Sequence, residues 1–396
     1  MISFPDAFRK VLDHTLDLGN EQVALLQGLG RILAEDIKAD RDFPPFDRST
    51  KDGIAINFSG IEKGIDRFKV EGVLSAGMAQ QTLSSDANCF EIMTGAVLPK
   101  NADSIVMYEE TDIQDGWATI TGAPNKGQNI HTQGSDEIAG AIILEKGSTI
   151  TAAIIGVLAS VGKSEVLVKK LPRICVIATG NELVEVSERP LPHQIRKSNT
   201  LSLSAALEKV GIIPMQLHLA DDRQIIEKEL KKALTNHDVL MLSGGVSKGK
   251  FDFIPDALET LGIEKVFHRV AQRPGKPFWF GVQKVQKKVV FSFPGNPVST
   301  FANYLVYFLP WLSKSLGIAV KQYSVTLDET ARPHPTLTLF LQVQTQWLQG
   351  KLLAKLIQGN GSGDLISLAK ADGFICIPPG EKELAKGTLF WFTACA

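Results

Sequence analysis

Three times between Arg173 and Thr300 a short apolar run ends in a glycine- or proline-rich polar loop: RICVIATGNEL (173–183), HDVLMLSGGVS (237–247) and KKVVFSFPGNPVS (287–299). Each run is rich in Val, Ile, Leu or Phe and lies near a helical pattern, as buried strands of a parallel sheet do. SLSAALEKVGI and RQIIEKELKKALTNH read as amphipathic helices, with IPMQLHL a strand between them. NPVSTFANYLVYFLPWL reads as an apolar helix, with Asn296 at the N-cap and Pro297 at its first position. Residues 171–318 therefore read as a βαβ domain. In an open parallel sheet the loops leaving the carboxyl ends of the strands gather at one edge. TGNEL, SGGVS and PGNPVS are thus expected to face a common guest.

Elsewhere the periodicity changes. PDAFRKVLDHTL carries apolar residues at helical spacing, and a second helix is expected over 21–28. From about 57 to 150 short alternating runs are separated by Gly, Asn and Pro, an all-β pattern. TAAIIGVLASVG (151–162) reads as an apolar helix that packs back on the N-terminal helices. Beyond 320 the chain returns to short strands. The expected organisation is a mixed N-terminal domain (1–40 with 138–170), an inserted β-rich domain (41–137), an α/β domain (171–318) and a small barrel-like β domain (319–396).

At 396 residues the chain exceeds a single core. A net charge of −1 gives no support for a nucleic-acid or membrane partner. The start carries acids and no long apolar stretch, so a cytoplasmic location is expected. Four cysteines lack metal-ligand spacing, and seven histidines form neither HxH nor HExxH, so no zinc site is expected.

The candidate chemistry sits in the loops. In PGNPVS, Pro294 and Pro297 flank Gly295 and Asn296, and Ser299 lies in the first helical turn; this reads as an oxyanion seat or as a plain strand–helix turn. In SGGVSKGKFD, Gly244 and Gly245 let a ligand approach the main chain, with Ser243 and Ser247 adding hydroxyls. Asp252 reads as a helix cap or a ligand. Glu182 in TGNEL, and Asp221 with Asp222, lie at the same edge. Carboxylates beside a phosphate site repel it unless a cation intervenes, and Mg2+ bound by one or two carboxylates plus phosphate oxygens resolves that conflict. Arg273 and Lys276 in RPGKP supply positive charge.

FDRSTKDGIAI, IMTGAVLP, GSDEIAG, TGNEL, DD at 221–222, SGGVSKGKFDF, PGKPFWFG, FPGNPVS and GSGDLISLAKADGFICIP follow one another in an order that resembles the molybdopterin molybdenumtransferase family, which includes bacterial MoeA and the gephyrin E domain. The resemblance runs from about residue 4 to 392. It implies a multidomain α/β plus β fold with a central molybdopterin-binding domain at 171–318, a homodimer, and Mg2+-dependent insertion of molybdate into adenylated molybdopterin with release of AMP. A molybdopterin adenylyltransferase is implied as a partner. Carried over by motif, Asp52, Thr94, Asp136, Glu182, Asp222 and Asp252 are the functional polar positions, with Glu182 and Asp252 holding magnesium. Ser243, Gly244, Gly245, Ser247, Pro294, Gly295, Asn296 and Ser299 would bind ligand, and Arg273 and Lys276 would hold anion charge. Departures are KDGIA for the common MDGYA, His131-Thr132-Gln133 in place of arginines, and Asn181 in place of an acid. An adenylyltransferase, whose fold resembles 171–318 alone, and a non-catalytic scaffold of the gephyrin type are the competing functions.

Overall fold

The computed structural model describes residues 1–246, 253–319 and 323–395. Backbone contacts divide it into two compact units: Met1–Gln22 with Gly30–Ile32 and Val168–Ala396, and Val23–Leu29 with Leu33–Leu167.

The first unit is built on a six-stranded sheet. Its strands are β1 (Ile174–Thr179), β2 (Met215–Leu219), β3 (Val239–Ser243), β4 (Glu264–His268), β5 (Trp279–Gln283) and β6 (Lys288–Phe293), in the order β2-β1-β3-β6-β5-β4. The first four in that order run parallel. β5 and β4 extend the sheet by antiparallel pairing. Every residue of β1, β3 and β6 is buried, because alternate side chains serve two different cores. Val176, Met241 and Phe291 point to the core that contains Leu203, Leu207 and Trp311. Cys175, Leu240 and Val290 point to the one with Ile226, Leu230 and Leu258. A strand covered on both faces has no polar side to show, which is why these runs read as continuously apolar.

The apolar segment after β6 is helical over Pro297–Asn303 and Leu309–Ser315, with a wider π turn at Tyr304–Phe308 between them. Pro310 has no N–H to donate four residues back, and a wider turn is one way to absorb that loss. The expected helix is present, with this interruption.

Strands Tyr323–Leu327, Thr338–Leu348, Lys351–Leu356, Gly373–Ile377 and Leu389–Ala394 close on themselves, since Thr338–Leu348 pairs with both Lys351–Leu356 and Gly373–Ile377. Val325, Leu327, Val343, Ala354 and Ile375 fill this small barrel.

Two expectations about the N-terminus are corrected. The helix Phe4–Leu12 lies in the first unit instead of grouping with 138–170: Ala7 and Val11 are wholly buried in the Phe291 core, and Phe4 packs edge-on against Phe340 at 5.0 Å. The second helix expected over 21–28 is absent. Burial alternates along Asn20–Ala24 as in a strand, and only Leu25–Gly28 forms a turn of 3-10 helix. Val23 is the one β-branched residue of this short run, and a few apolar residues cannot by themselves separate the two periods.

The second unit carries a mixed six-stranded sheet in the order Ser104–Met107, Gly53–Ile56, Asn88–Ile92, Arg67–Leu74, Trp117–Ile120, Thr111–Gln114, in line with the β-rich reading. Ile54, where the family's aromatic is missing, is fully buried with Phe68 and Val106. In this chain it is a core position.

Phe291 lies at the centre of the first core, 5.5 Å from both Phe308 and Trp311 between ring centroids. Phe291→Ala is expected to destabilise the first unit by about 3–5 kcal/mol, read from its denaturant midpoint; a loss near zero would mean that the aromatic layer does not hold the sheet.

Candidate functional site

Pairing register places the strand ends side by side. Ala178 of β1 lies opposite Ser243 of β3, Ser243 opposite Phe293 of β6, and Thr179 opposite Leu219 of β2. The loops leaving these ends enclose a recess of about 310 Å³ lined by Gly180, Glu182, Asp221, Ser243, Gly244, Gly245 and Gly295. The expected convergence of the three loops is therefore observed. Its floor requires glycine. Gly244 and Gly245 have φ of +102° and +68°, and a Cβ would fall 2.8 Å from Thr179 Oγ1 and 2.7 Å from Ile254 Cγ1 respectively.

Side-chain amides fasten this rim. Asn199 Nδ2 donates to Ser243 Oγ at 2.9 Å and to the Gly295 carbonyl at 2.7 Å, joining β3 to β6. Asn181 Oδ1 accepts from the Asp221 N–H at 3.1 Å, joining the β1 loop to the β2 loop. Asn181 is where the family carries an acid, and here it is a bridge. The segment Arg196–Asn199 also lines the recess, and no sequence motif marks it. Its only signal was a cationic pair just before a helix opening in Ser-Asn.

Asp222, expected among the functional polar positions, caps a helix and is not among the residues lining the recess: its carboxylate accepts from the Ile225 N–H at 2.9 Å at the start of Arg223–Asn236. Asp221 lines the recess instead. Ser247 and Asp252 lie outside the described residues.

The remaining candidates line a second recess. Arg273, Lys276, Pro294, Asn296 and Ser299 surround a cavity of about 590 Å³, with Gln342 and Ser362 on its far wall. All three loops thus share the first recess, and PGNPVS alone also borders the second, with the backbone at 294–297 between the two spaces. The oxyanion seat expected at the start of helix Pro297–Asn303 is partly spent. Pro297 has no N–H, the Val298 N–H donates to the Ser362 carbonyl at 3.0 Å, and Asn296 Nδ2 donates to Ser362 Oγ at 2.7 Å instead of capping the helix.

The two recesses differ in charge. The first holds Glu182 and Asp221 with Arg196 and Lys197, and Lys197 is already paired with Glu185. The second holds Arg273 and Lys276 without a carboxylate among its described lining residues, and neither cation makes an ion pair with any described residue. Among the described residues no group of three His, Cys, Asp or Glu side chains is placed to hold a metal by itself.

In the second unit Asp52 Oδ1 accepts from the Thr94 N–H at 2.6 Å and from Thr94 Oγ1 at 2.7 Å. The backbone bond, then the hydroxyl, holds the Asp52 carboxyl below its ordinary value. Asp136 bonds elsewhere, to His131 Nε2 at 2.9 Å, and Arg48 approaches the other ring nitrogen at 3.2 Å.

These assignments are testable. Asp222→Ala is expected to lower stability by about 1 kcal/mol through the lost cap, whereas Asp221→Asn stays within about 0.5 kcal/mol; equal effects would undo the distinction. Because the folded pKa of Asp52 is depressed, the Thr94 contact favours the folded state above the ordinary value of 3.8 and is lost as pH falls through the lower folded value. Thr94→Val is expected to return the Asp52 titration, followed by carbon NMR, toward that ordinary value. An unmoved titration would discard the hydroxyl's part in the shift, since the backbone bond remains.

Known proteins resemble this chain along its whole length. Residues 2–162 match the family described as MoeA N-terminal region (domain I and II), 175–314 the probable molybdopterin binding domain, and 324–393 the MoeA C-terminal region (domain IV). The molybdopterin molybdenumtransferase of Synechocystis sp. is 38% identical over 398 residues, covering 100% of both chains. That of Bacillus subtilis is 32% identical, covering 98% of this chain and 92% of its own. The solved molybdopterin biosynthesis moeA protein from Pyrococcus horikosii superposes with a TM-score of 0.83 at 31% identity, covering 100% of this chain and 99% of its own. Matched in all three regions and at full length, the chain belongs to the MoeA family of molybdopterin molybdenumtransferases.

Proposed function

We propose that this chain inserts molybdenum from molybdate into adenylated molybdopterin, with AMP released and Mg2+ required. The observation that carries this reading is the pair of unlike recesses sharing one loop. A glycine-floored space with carboxylates suits a phosphate-bearing guest, and a cationic space without carboxylates suits a second, compact anion.

In this reading the main chain at Gly244 and Gly245 lies against the phosphates, and Asn199 holds the walls apart at a set width. Glu182 accepts the proton of the water that cleaves the phosphoanhydride, so that the P–O–P bond breaks and AMP leaves. Arg273 and Lys276 hold molybdate where the dithiolene sulfurs replace two of its oxygens, which depart with the thiol protons. The donor set fits magnesium, which prefers one or two carboxylates plus substrate oxygens to an all-protein cage. Glu182 and Asp252, with Asp221 beside Glu182, would hold the ion. When bound, it would neutralise phosphate charge beside these acids.

A homodimer is part of the proposal, supported by the helix Ala152–Ser160. It is apolar on nearly every side yet leaves Val157 exposed, and Leu26 and Leu29 of the same unit are exposed as well. An adenylyltransferase that hands over the adenylated pterin and a cytoplasmic setting complete the reading. No helix among the described residues is long and apolar enough to cross a membrane.

With adenylated molybdopterin and Mg2+ supplied, AMP release is expected to track molybdate. Glu182→Gln is expected to lower that rate about 100-fold or more with an unchanged melting temperature. Binding of the pterin with no AMP release at any molybdate concentration would favour a scaffold. Val157→Glu is expected to shift the mass in light scattering toward a monomer, and an unchanged mass would place the interface elsewhere.

A further inference from the structure

Beneath the cationic recess lies a polar group that the mechanism above does not use. Gln272, Asn303 and Tyr307 are each wholly buried, and Tyr307 is set among aromatic rings, 4.8 Å from Phe278 and 5.8 Å from Phe4. Their bonds form a closed set. The Tyr307 hydroxyl donates to Gln272 Oε1. Gln272 Nε2 donates to Asn303 Oδ1 at 2.8 Å and to the Pro274 carbonyl at 3.0 Å. Asn303 Nδ2 reaches the Gly275 carbonyl at 3.4 Å. Each amide's orientation follows from the next, because the phenol donor fixes Gln272 Oε1 as the acceptor.

Packing alone does not call for these residues. Buried polar groups are costly unless satisfied, and apolar side chains of similar shape fill such a space as well or better. What distinguishes this trio is what it grips: two successive carbonyls at the centre of the Arg273–Lys276 turn. A carbonyl oxygen carries negative partial charge. Turned outward, either one would stand beside the two cations and oppose an anion; bonded inward, both leave the recess to Arg273 and Lys276. The turn is held at its flanks as well, by pairing of Arg273 with Leu339 and by the Val270 N–H to the Lys276 carbonyl at 3.0 Å. Gly275 leaves no alternative arrangement for a larger residue, since its Cβ would lie 2.5 Å from Asn303 Oδ1.

We propose that Tyr307, Gln272 and Asn303 are positioning residues that set the anion affinity of the cationic recess by holding the Pro274 and Gly275 carbonyls out of it. The inference rests on the reading that this recess takes molybdate. Burial pushes the Tyr307 phenol well above its usual range, which keeps it a hydrogen-bond donor.

The test is steady-state AMP release by the full chain with adenylated molybdopterin and Mg2+, at varied molybdate. Tyr307→Phe keeps the ring and removes the donor; Gln272→Met keeps the length and removes every side-chain hydrogen bond. Both are expected to raise the KM for molybdate about tenfold, with kcat within about twofold and the KM for the pterin unchanged. An unchanged KM for molybdate overturns the proposal. So does a joint fall in kcat, both affinities and melting temperature, which would mark a merely structural role. If Gln272→Met does not fold, Tyr307→Phe decides alone. Arg273→Ala separates the two layers of inference. If it leaves the KM for molybdate unchanged, the recess does not hold that anion, and the functional reading of it falls together with the positioning role. If it raises the KM while the Tyr307 and Gln272 variants do not, the positioning role alone is lost.

Discussion

Parallel pairing of β1, β3 and β6 is the constraint on which the first unit depends. Once Ala178, Ser243 and Phe293 stand in register, three loops far apart in sequence must leave the sheet within a few strand spacings of one another. The glycines that follow then matter for a geometric reason. Thr179 and Ile254 crowd the main chain at 244 and 245, so the backbone itself forms the floor of the recess. Polar side chains such as Asn199 and Asn181 act on loops that the sheet has already brought together.

That much could be read from the sequence because burial on both faces leaves a strong mark. Continuous apolar strands, amphipathic helices and glycine-rich turns at strand ends all point to the same architecture, and the meeting of the loops at one edge followed from it. The short C-terminal strands were visible for a related reason, since each is bounded by turn residues. The aspartate pair at 221–222 was harder. A cap and a ligand use the same side chain at the same kind of position, and one residue of helical phase decides between them.

Other features had no local signature. The first helix reads as amphipathic in isolation, but the partner of its apolar face is a matter of tertiary contact, here Tyr307 and Phe340. The split of PGNPVS between two spaces depends on Ser362, more than sixty positions downstream, which takes both the Val298 amide and the Asn296 side chain. Gln272 and Asn303 are likewise neutral amides in unremarked surroundings, and only their shared burial reveals that they hold a turn.

The position of Ser362 has a further consequence. One wall of the cationic cavity belongs to the segment leading into helix Leu365–Ala369 of the C-terminal part, whereas the glycine floor is made entirely by the α/β sheet and its loops. The linings of the two chambers are therefore unequally distributed along the polypeptide. A protein ending near residue 318 would retain the residues of one chamber and leave the other open on a side, so the closure of the cationic cavity is something the sheet acquires from its appended barrel.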